Sequence, residues 1–127
     1  MKESRDAAPR RLLIEAAREF NAGRYFEAHE VIEDGLEDVP DELWDLFVGL
    51  IQVAVGYHKV TQQLWPGAAR MLGLGLAKID RFAPSAAGLR LDALRSRARS
   101  DLEALRAQRF DSDAFAASPP RIQLRRA

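Results

Sequence analysis

Two histidines, and the acidic residues that follow the first of them, are the side chains of this 127-residue chain best suited to chemistry. His29 begins the sequence His-Glu-x-x-Glu, in which Glu30 follows directly and Glu33 comes four residues after the histidine. Because four residues make slightly more than one helical turn, His29 and Glu33 share a helix face and offer one nitrogen and one carboxylate. Glu30 points to another side, and we expect it to flank the pair.

The second histidine, His58, comes directly after an apolar stretch in which Gln52 is the one polar residue. Only a short connection through Pro40 separates this stretch from the helix that carries His29. A short connection predicts two antiparallel helices in contact. We therefore expect His58, at the far end of the second of these helices, to approach His29.

Such a cluster could hold a metal ion or act without one. Two histidines and a carboxylate, here His29, His58 and Glu33, are typical ligands of iron, manganese or zinc. The same groups, assisted by Glu30 or Gln52, could perform acid–base catalysis without a metal. A structural role is the third possibility, because a half-buried histidine needs a hydrogen-bond partner and a glutamate four residues away supplies one.

Composition excludes several other classes of site. The chain has no cysteine, which excludes disulfide frameworks, thiolate zinc sites, cysteine-ligated iron–sulfur clusters and a thiol nucleophile. Glycine loops that bind nucleotides and the Gly-x-Ser-x-Gly elbow of hydrolases are absent from the sequence. Lys plus Arg and Asp plus Glu each number 19, so the zero net charge argues against a dedicated nucleic-acid binder.

Targeting and membrane signals are also missing from the sequence. The first ten residues contain no apolar core of a signal peptide. The longest apolar run, residues 46–57, is shorter than the roughly 18–20 residues that span a bilayer. We expect a soluble cytoplasmic protein with no membrane partner.

Charge is distributed along the chain in blocks. Residues 25–58 carry nine acidic side chains and no Lys or Arg, whereas residues 89–127 carry nine basic and five acidic side chains. The two blocks could attract each other within the fold or between two copies of the chain. Solvated helix faces are the simpler explanation. If the blocks do act in recognition, the pattern favours a protein partner or a homodimer.

Apolar residues recur at three- and four-residue spacing, which predicts helices, and no alternating runs indicate strands. The predicted helices cover residues 9–20, 25–36, 42–62, 66–82 and 92–108. The middle of the third helix is apolar on all sides, which is typical of a helix surrounded by others. We predict an all-α fold, a compact bundle of about five helices around a central hydrophobic helix at about residues 42–62. Residues 1–109 form a single domain, and residues 110–127 form an extended or loosely packed basic tail.

Two glycines interrupt the fourth predicted helix. Gly73 and Gly75 each lower the stability of that helix by roughly 1 kcal/mol relative to alanine. Gly49 and Gly56 lie in the third helix. A close approach of the two helices would explain all four residues.

Three segments, taken in order, resemble one known family: FNAGRYFEAHEVIED, LFVGLIQVAVGYHKV and PGAARMLGLGLAKIDRF. Over about residues 10–107, the chain resembles the small helical proteins catalogued as domain of unknown function 309. The resemblance implies an all-helical bundle and no particular activity. The family signature falls on Asn21, Gly23, His29, Glu30, Glu33, Gly49, Gln52 and His58.

The chain departs from this family directly after the His-Glu-x-x-Glu sequence. The family usually has Leu-Trp there, whereas this chain has Asp34, Gly35 and Leu36. Because glycine weakens a helix, the departure predicts a loosened end of the second helix.

Two functions are compatible with these features. The first is an uncharacterised small helical protein that acts as a non-catalytic partner-binding or structural module, with another protein or a second copy as its partner. The alternative is a metal-dependent or acid–base enzyme that uses the cluster of His29, Glu33 and His58 between the second and third helices.

Overall fold

The regular spacing of apolar residues produces six α-helices within residues 7–125, the part of the chain that this computed structural model describes. They are α1 (Ala7–Asn21), α2 (Tyr25–Gly35), α3 (Asp41–Thr61), α4 (Trp65–Ile79), α5 (Asp92–Arg106) and α6 (Ser112–Ala117). The all-α prediction is confirmed, and the five predicted helices agree with α1 to α5 to within three residues at each end. The short α6 was not predicted. No helix in the described range is long and apolar enough to cross a membrane.

Glycines allow α3 and α4 to pack with their backbones in close contact. A Cβ atom on Gly75 would lie only 2.7 Å from the carbonyl oxygen of Gly49, and Gly56 likewise lies against α4. The predicted close approach is therefore confirmed for these three residues. It is wrong for Gly73, whose nearest neighbour is the side chain of Arg106 in α5, because two residues rotate a position about 200° around the helix.

The longest helix, α3, packs against α2 and α4 and contributes many of the buried residues of the core. The structure does not confirm that other helices surround α3 on every side. One line of side chains along α3 keeps contact with solvent: Trp44 is 42% exposed, and the rest are half-buried. We call this line the α3 stripe; its members are Trp44, Val48, Gln52, Val55 and Lys59.

Three strands of two residues each form a small antiparallel sheet. β1 (Ser85–Ala86) pairs with β2 (Leu89–Arg90), and β2 pairs with β3 (Gln123–Leu124). These short strands were not predicted. Strands of two residues are too short to show an alternation of apolar and polar side chains, and the second pairing joins distant parts of the chain.

The segment that follows α5 lies against the helices. Phe115 in α6 stacks on Tyr57 of α3, with the ring centroids 5.8 Å apart, and Phe110 lies next to Phe115. Ile122 is buried, and its backbone is held by the side chain of Asn21. The Ile122 N–H donates to Asn21 Oδ1 over 2.7 Å, and Asn21 Nδ2 donates to the Ile122 carbonyl over 3.0 Å.

Candidate functional site

The His-Glu-x-x-Glu sequence lies on α2, and its histidine is held at both ring nitrogens. Nδ1 of His29 is 2.6 Å from the backbone carbonyl oxygen of Phe26. Because a carbonyl oxygen only accepts, Nδ1 carries a hydrogen. Nε2 is 3.1 Å from Oε2 of Glu33, as the four-residue spacing predicts. The His29 side chain is 14% exposed and that of Glu33 is 62% exposed, so the pair lies at the edge of the core.

His58 reaches the same patch from α3. Its ring centroid is 5.1 Å from that of Phe26, and the His29 ring lies 4.8 Å from the same phenylalanine. The antiparallel arrangement of α2 and α3 therefore brings both imidazoles onto one aromatic ring. Phe26, which is 43% exposed, was not singled out in the sequence, because an isolated phenylalanine on a predicted helix carries no signal of such a role.

A metal site in a protein needs several ligand side chains close enough together to bind one ion. Among residues 7–125, no group of three or more histidine and acidic side chains is placed so that it could hold a metal ion. His29, Glu33 and His58 therefore do not form a ready three-ligand centre in this arrangement. A site for zinc, iron or manganese stays a prediction, which metal analysis can decide.

The two proposed assistants of the cluster lie in other directions. Glu30 points towards α1, where it lines an open groove between α1 and α2. Gln52 is six residues before His58, which places it about 120° around α3 from that histidine. Its Oε1 is sheltered from solvent and has no hydrogen-bond partner among the described residues. Neither side chain is therefore aligned with the pair formed by His29 and Glu33.

An open groove between α1 and α2 gathers five carboxylates. Its floor is apolar, and its rim is acidic along both helices. We call it the acidic groove; its members are Leu12, Glu15, Glu19, Glu27, Glu30, Val31, Asp34 and Gly35. The acidic block in the sequence contains the carboxylates of α2. It does not contain Glu15 and Glu19, whose spacing of four residues on one helix was the available signal for a shared face.

Gly35 shapes the floor of the acidic groove. A Cβ atom at this position would overlap the side chain of Leu12 in α1, so the glycine allows the two helices to approach closely. Gly35 is the last residue of α2, and its φ of −101° and ψ of 5° depart from α-helical values where a short 3-10 turn begins at Leu36. That this glycine loosens the end of α2 stays a prediction. The departure from the family pattern thus has a packing role.

Arg18 and Arg24 bring positive charge to the Glu19 end of the acidic groove. Arg24 bonds to Glu19, and this hydrogen bond lowers the pKa of the Glu19 carboxyl. The arginines of α5 are engaged elsewhere: Arg95 and Arg99 bond to Asp80 over 2.7 and 2.8 Å. The basic C-terminal block is thus used partly in local ion pairs, and the carboxylates of α2 keep a concentrated negative potential.

Other signature residues have structural roles. Asn21 holds the C-terminal segment through Ile122. Gly23 has φ of +81°, a left-handed conformation that favours glycine, in the turn between α1 and α2. Gly49 lies against the backbone of Gly75. These residues position the helices that carry the histidines and the groove.

Comparison with known proteins supports the resemblance found in the sequence. Residues 13–71 match a family model described as "Domain of unknown function (DUF309)". No functionally curated protein matches the chain. The matched segment runs from α1 into α4 and includes both histidines and every carboxylate of the acidic groove. Over this segment, the chain is similar to the DUF309 family.

Proposed function

We propose that this protein is a non-catalytic binding module whose acidic groove receives a basic, amphipathic segment of another protein. The observation that carries the proposal is the acidic groove itself, in which five carboxylates surround an apolar floor between two helices. An acidic rim attracts lysine and arginine side chains, and an apolar floor provides surface that a partner can bury.

The spacing of the groove residues suggests the size of the occupant. Glu27, Glu30 and Asp34 follow one another at three- and four-residue intervals on α2. They extend over about 10 Å, which is two helical turns. A partner helix of two or three turns, with basic residues on both sides of an apolar line, would match this length. Such helix-in-groove binding is a recurring mode of peptide recognition.

The enzyme alternative has less support from the geometry. Both ring nitrogens of His29 lie next to hydrogen-bond acceptors, the Phe26 carbonyl and the Glu33 carboxylate. These two contacts account for the pair as a local brace at the edge of the core. Glu30 and Gln52, the assistants that an acid–base mechanism would use, point in other directions.

A defined probe tests the proposal. The probe is a synthetic peptide of about 15 residues that presents lysines on both sides of a leucine stripe when helical. Titration of the labelled peptide with the protein, followed by fluorescence anisotropy, gives the dissociation constant at low and high salt. We expect saturable binding that weakens as salt is added, because exposed charges are screened.

Two charge-reversed variants locate the binding surface. The first carries Glu30→Lys and Asp34→Lys in the acidic groove; the matched control carries Glu37→Lys and Asp38→Lys in the same acidic block but outside the groove. Both variants change net charge equally. We expect the first to weaken binding about tenfold or more and the control to weaken it much less. Equal losses, or no binding by the unmodified protein, would contradict the proposal.

A further inference from the structure

The α3 stripe is an apolar helix face that the rest of the described chain leaves half-covered. Val48 and Val55 are half-buried, and Trp44 at the N-terminal end is 42% exposed. A second exposed aromatic side chain, Phe26, lies beside His58 near the C-terminal end of the same helix. Exposed apolar side chains gathered on one side of a helix in this way are typical of an interface.

Two copies of the α3 stripe placed antiparallel to each other would be complementary in charge. Asp45 lies beside the stripe at its N-terminal end and Lys59 lies at its C-terminal end, about 21 Å away. Val48 and Val55 lie between them, and Gln52 is at the midpoint. If a second α3 runs antiparallel to the first about Gln52, Asp45 faces Lys59 and Val48 lies within one residue of the position opposite Val55. Both contacts occur in each half of the interface.

We propose that the α3 stripe binds a second copy of this chain, with the two α3 helices antiparallel across a two-fold axis at Gln52. An interface of this type uses the same patch on both copies and requires that patch to be complementary to itself. The charge order of the stripe meets this requirement, and the dipoles of antiparallel helices are also favourably opposed. The proposal concerns a different surface from the acidic groove and does not depend on it.

The midpoint residue adds a polar reason for pairing. Gln52 has an Oε1 atom that is sheltered from solvent and lacks a partner among the described residues. Its amide also carries two N–H donors. At a two-fold axis, Gln52 of one copy meets Gln52 of the other, and rotation of the two amides would let each Oε1 accept a hydrogen bond from the opposite N–H.

The exposed aromatic rings fit the same arrangement. Phe26 is level with the C-terminal end of α3 through its contact with His58, and Trp44 is on the first turn of α3. Antiparallel pairing places the C-terminal end of one α3 beside the N-terminal end of the other. Phe26 of one copy is thereby brought level with Trp44 of the second, where both rings can lose solvent contact.

A cysteine introduced at the proposed axis tests this geometry directly, since the natural chain has none. A residue on a two-fold axis meets its own copy, so we expect Gln52→Cys to form a disulfide-linked dimer rapidly under mild oxidation. Ile14→Cys is the matched control, because Ile14 is 39% exposed on α1, away from the stripe. Equal rates of cross-linking for the two variants would overturn the proposal.

The second test measures the mass of the protein in solution by sedimentation over a range of concentrations. We expect a dimer for the unmodified chain. Val48→Glu weakens dimerisation by roughly a hundredfold or more, because it would bury an unpaired carboxylate. Ile14→Glu leaves dimerisation unchanged. A monomer at every concentration, or a dimer that Val48→Glu does not affect, would overturn the proposal.

Charge exchange at the stripe ends distinguishes an antiparallel pair from other dimers and does not disturb the core. Asp45→Lys and Lys59→Asp should each weaken the dimer, and the double variant should restore it. Asp45 also bonds to Arg81 within the same chain, so Arg81→Gln serves as the control and should leave the mass unchanged. Failure of the double variant to recover, with both single variants weakened and folded by circular dichroism, would exclude the antiparallel register.

Discussion

His29 has hydrogen-bond acceptors at both ring nitrogens, and this arrangement sets what the residue can do. The Phe26 carbonyl fixes the hydrogen on Nδ1, so a metal ion could bind His29 only at Nε2. That nitrogen already faces Glu33. His58 and His29 both lie against the ring of Phe26, and an apolar ring beside both imidazoles is a poor neighbour for a charged ion.

The metal content of the protein decides whether His29 and His58 bind a metal ion or have only a structural role. We expect untagged protein, analysed for zinc, iron and manganese, to contain far less than one equivalent, because no described group of three ligands is assembled. The double variant His29→Ala with His58→Ala should show the same low content and a lower stability. A metal content near one equivalent that disappears in the double variant would restore the metal-dependent hypothesis.

Tyr57 provides a prediction of pH dependence. It is fully buried and donates a hydrogen bond to Asp101 Oδ2 over 2.7 Å. Burial, followed by the charge of Asp101, raises the pKa of Tyr57 well above its usual value near 10. Its contribution to stability is therefore fully present below about pH 10 and is lost as the pH rises further, because the unfolded chain ionises first.

Urea unfolding of the Tyr57→Phe variant at neutral and alkaline pH checks this prediction. We expect the variant to be less stable by about 2 kcal/mol at neutral pH, since it loses a hydrogen bond to a charged group. Its stability should fall less steeply above pH 10 than that of the unmodified protein. Some slope should remain, because burial also raises the pKa of Tyr25. An unchanged slope would contradict the prediction.

At the scale of the elements, the α3–α4 contact depends on the absence of side chains. Alanine at Gly75 would place its Cβ 2.7 Å from the Gly49 carbonyl oxygen, a backbone atom that cannot move aside. We expect Gly75→Ala to lower the free energy of unfolding by about 3 kcal/mol. Thermal or urea unfolding measures the change.

Gly73→Ala in the same helix is the control for this substitution. Its Cβ would meet the end of the flexible Arg106 side chain at 3.3 Å. We expect a gain of up to about 1 kcal/mol, because alanine favours the helix. Similar losses of unfolding free energy for the two variants would show that α3 and α4 do not approach each other closely at Gly75.

The five longer helices were predictable because their apolar faces repeat at helical spacing. The packing partner of each glycine was only partly predictable: Gly75 faces α3, but Gly73 faces α5. The spacing of apolar residues along one helix shows which of its faces are buried, but it does not show which other helix packs against each face. The strands could not be predicted, because two residues are too few to show an alternation of apolar and polar side chains. The pairing of β2 with β3 also joins residues that are far apart in the sequence.

At the scale of the whole molecule, Asn21 connects the N-terminal helices to the C-terminal segment. Its side chain holds both backbone groups of Ile122. We expect Asn21→Ala to free this segment and to accelerate trypsin cleavage after Arg121, an exposed residue next to Ile122. Mass spectrometry of timed digests follows the reaction.

Cleavage after Arg70, an exposed position within α4, is the internal control. It should remain slow in the Asn21→Ala variant if the effect is confined to the C-terminal segment. Equal acceleration at both positions would show that the substitution destabilises the whole fold. Asn21→Asp should have an intermediate effect, because it keeps an acceptor for the Ile122 N–H and loses the donor to the carbonyl.

The candidate sites were predictable only in part. The four-residue spacing of His29 and Glu33 predicted their contact, and the connection at Pro40 predicted the approach of His58. The acidic groove could not be predicted fully, because two of its carboxylates, Glu15 and Glu19, come from another helix and another charge block. The interhelix distance that joins the two rims depends on Gly35, which the sequence suggested as a weak point of α2.

Locating the basic peptide on the molecule tests the central claim most directly. Amide nuclear magnetic resonance spectra of the ¹⁵N-labelled protein, recorded during titration with the peptide, report which residues the peptide contacts. We predict that the largest shifts fall on the acidic groove, at Val31, Asp34 and Gly35 of α2 and at Glu15 of α1. Shifts centred on the α3 stripe or on the patch around Phe26, or no shifts at saturating peptide, would contradict the account.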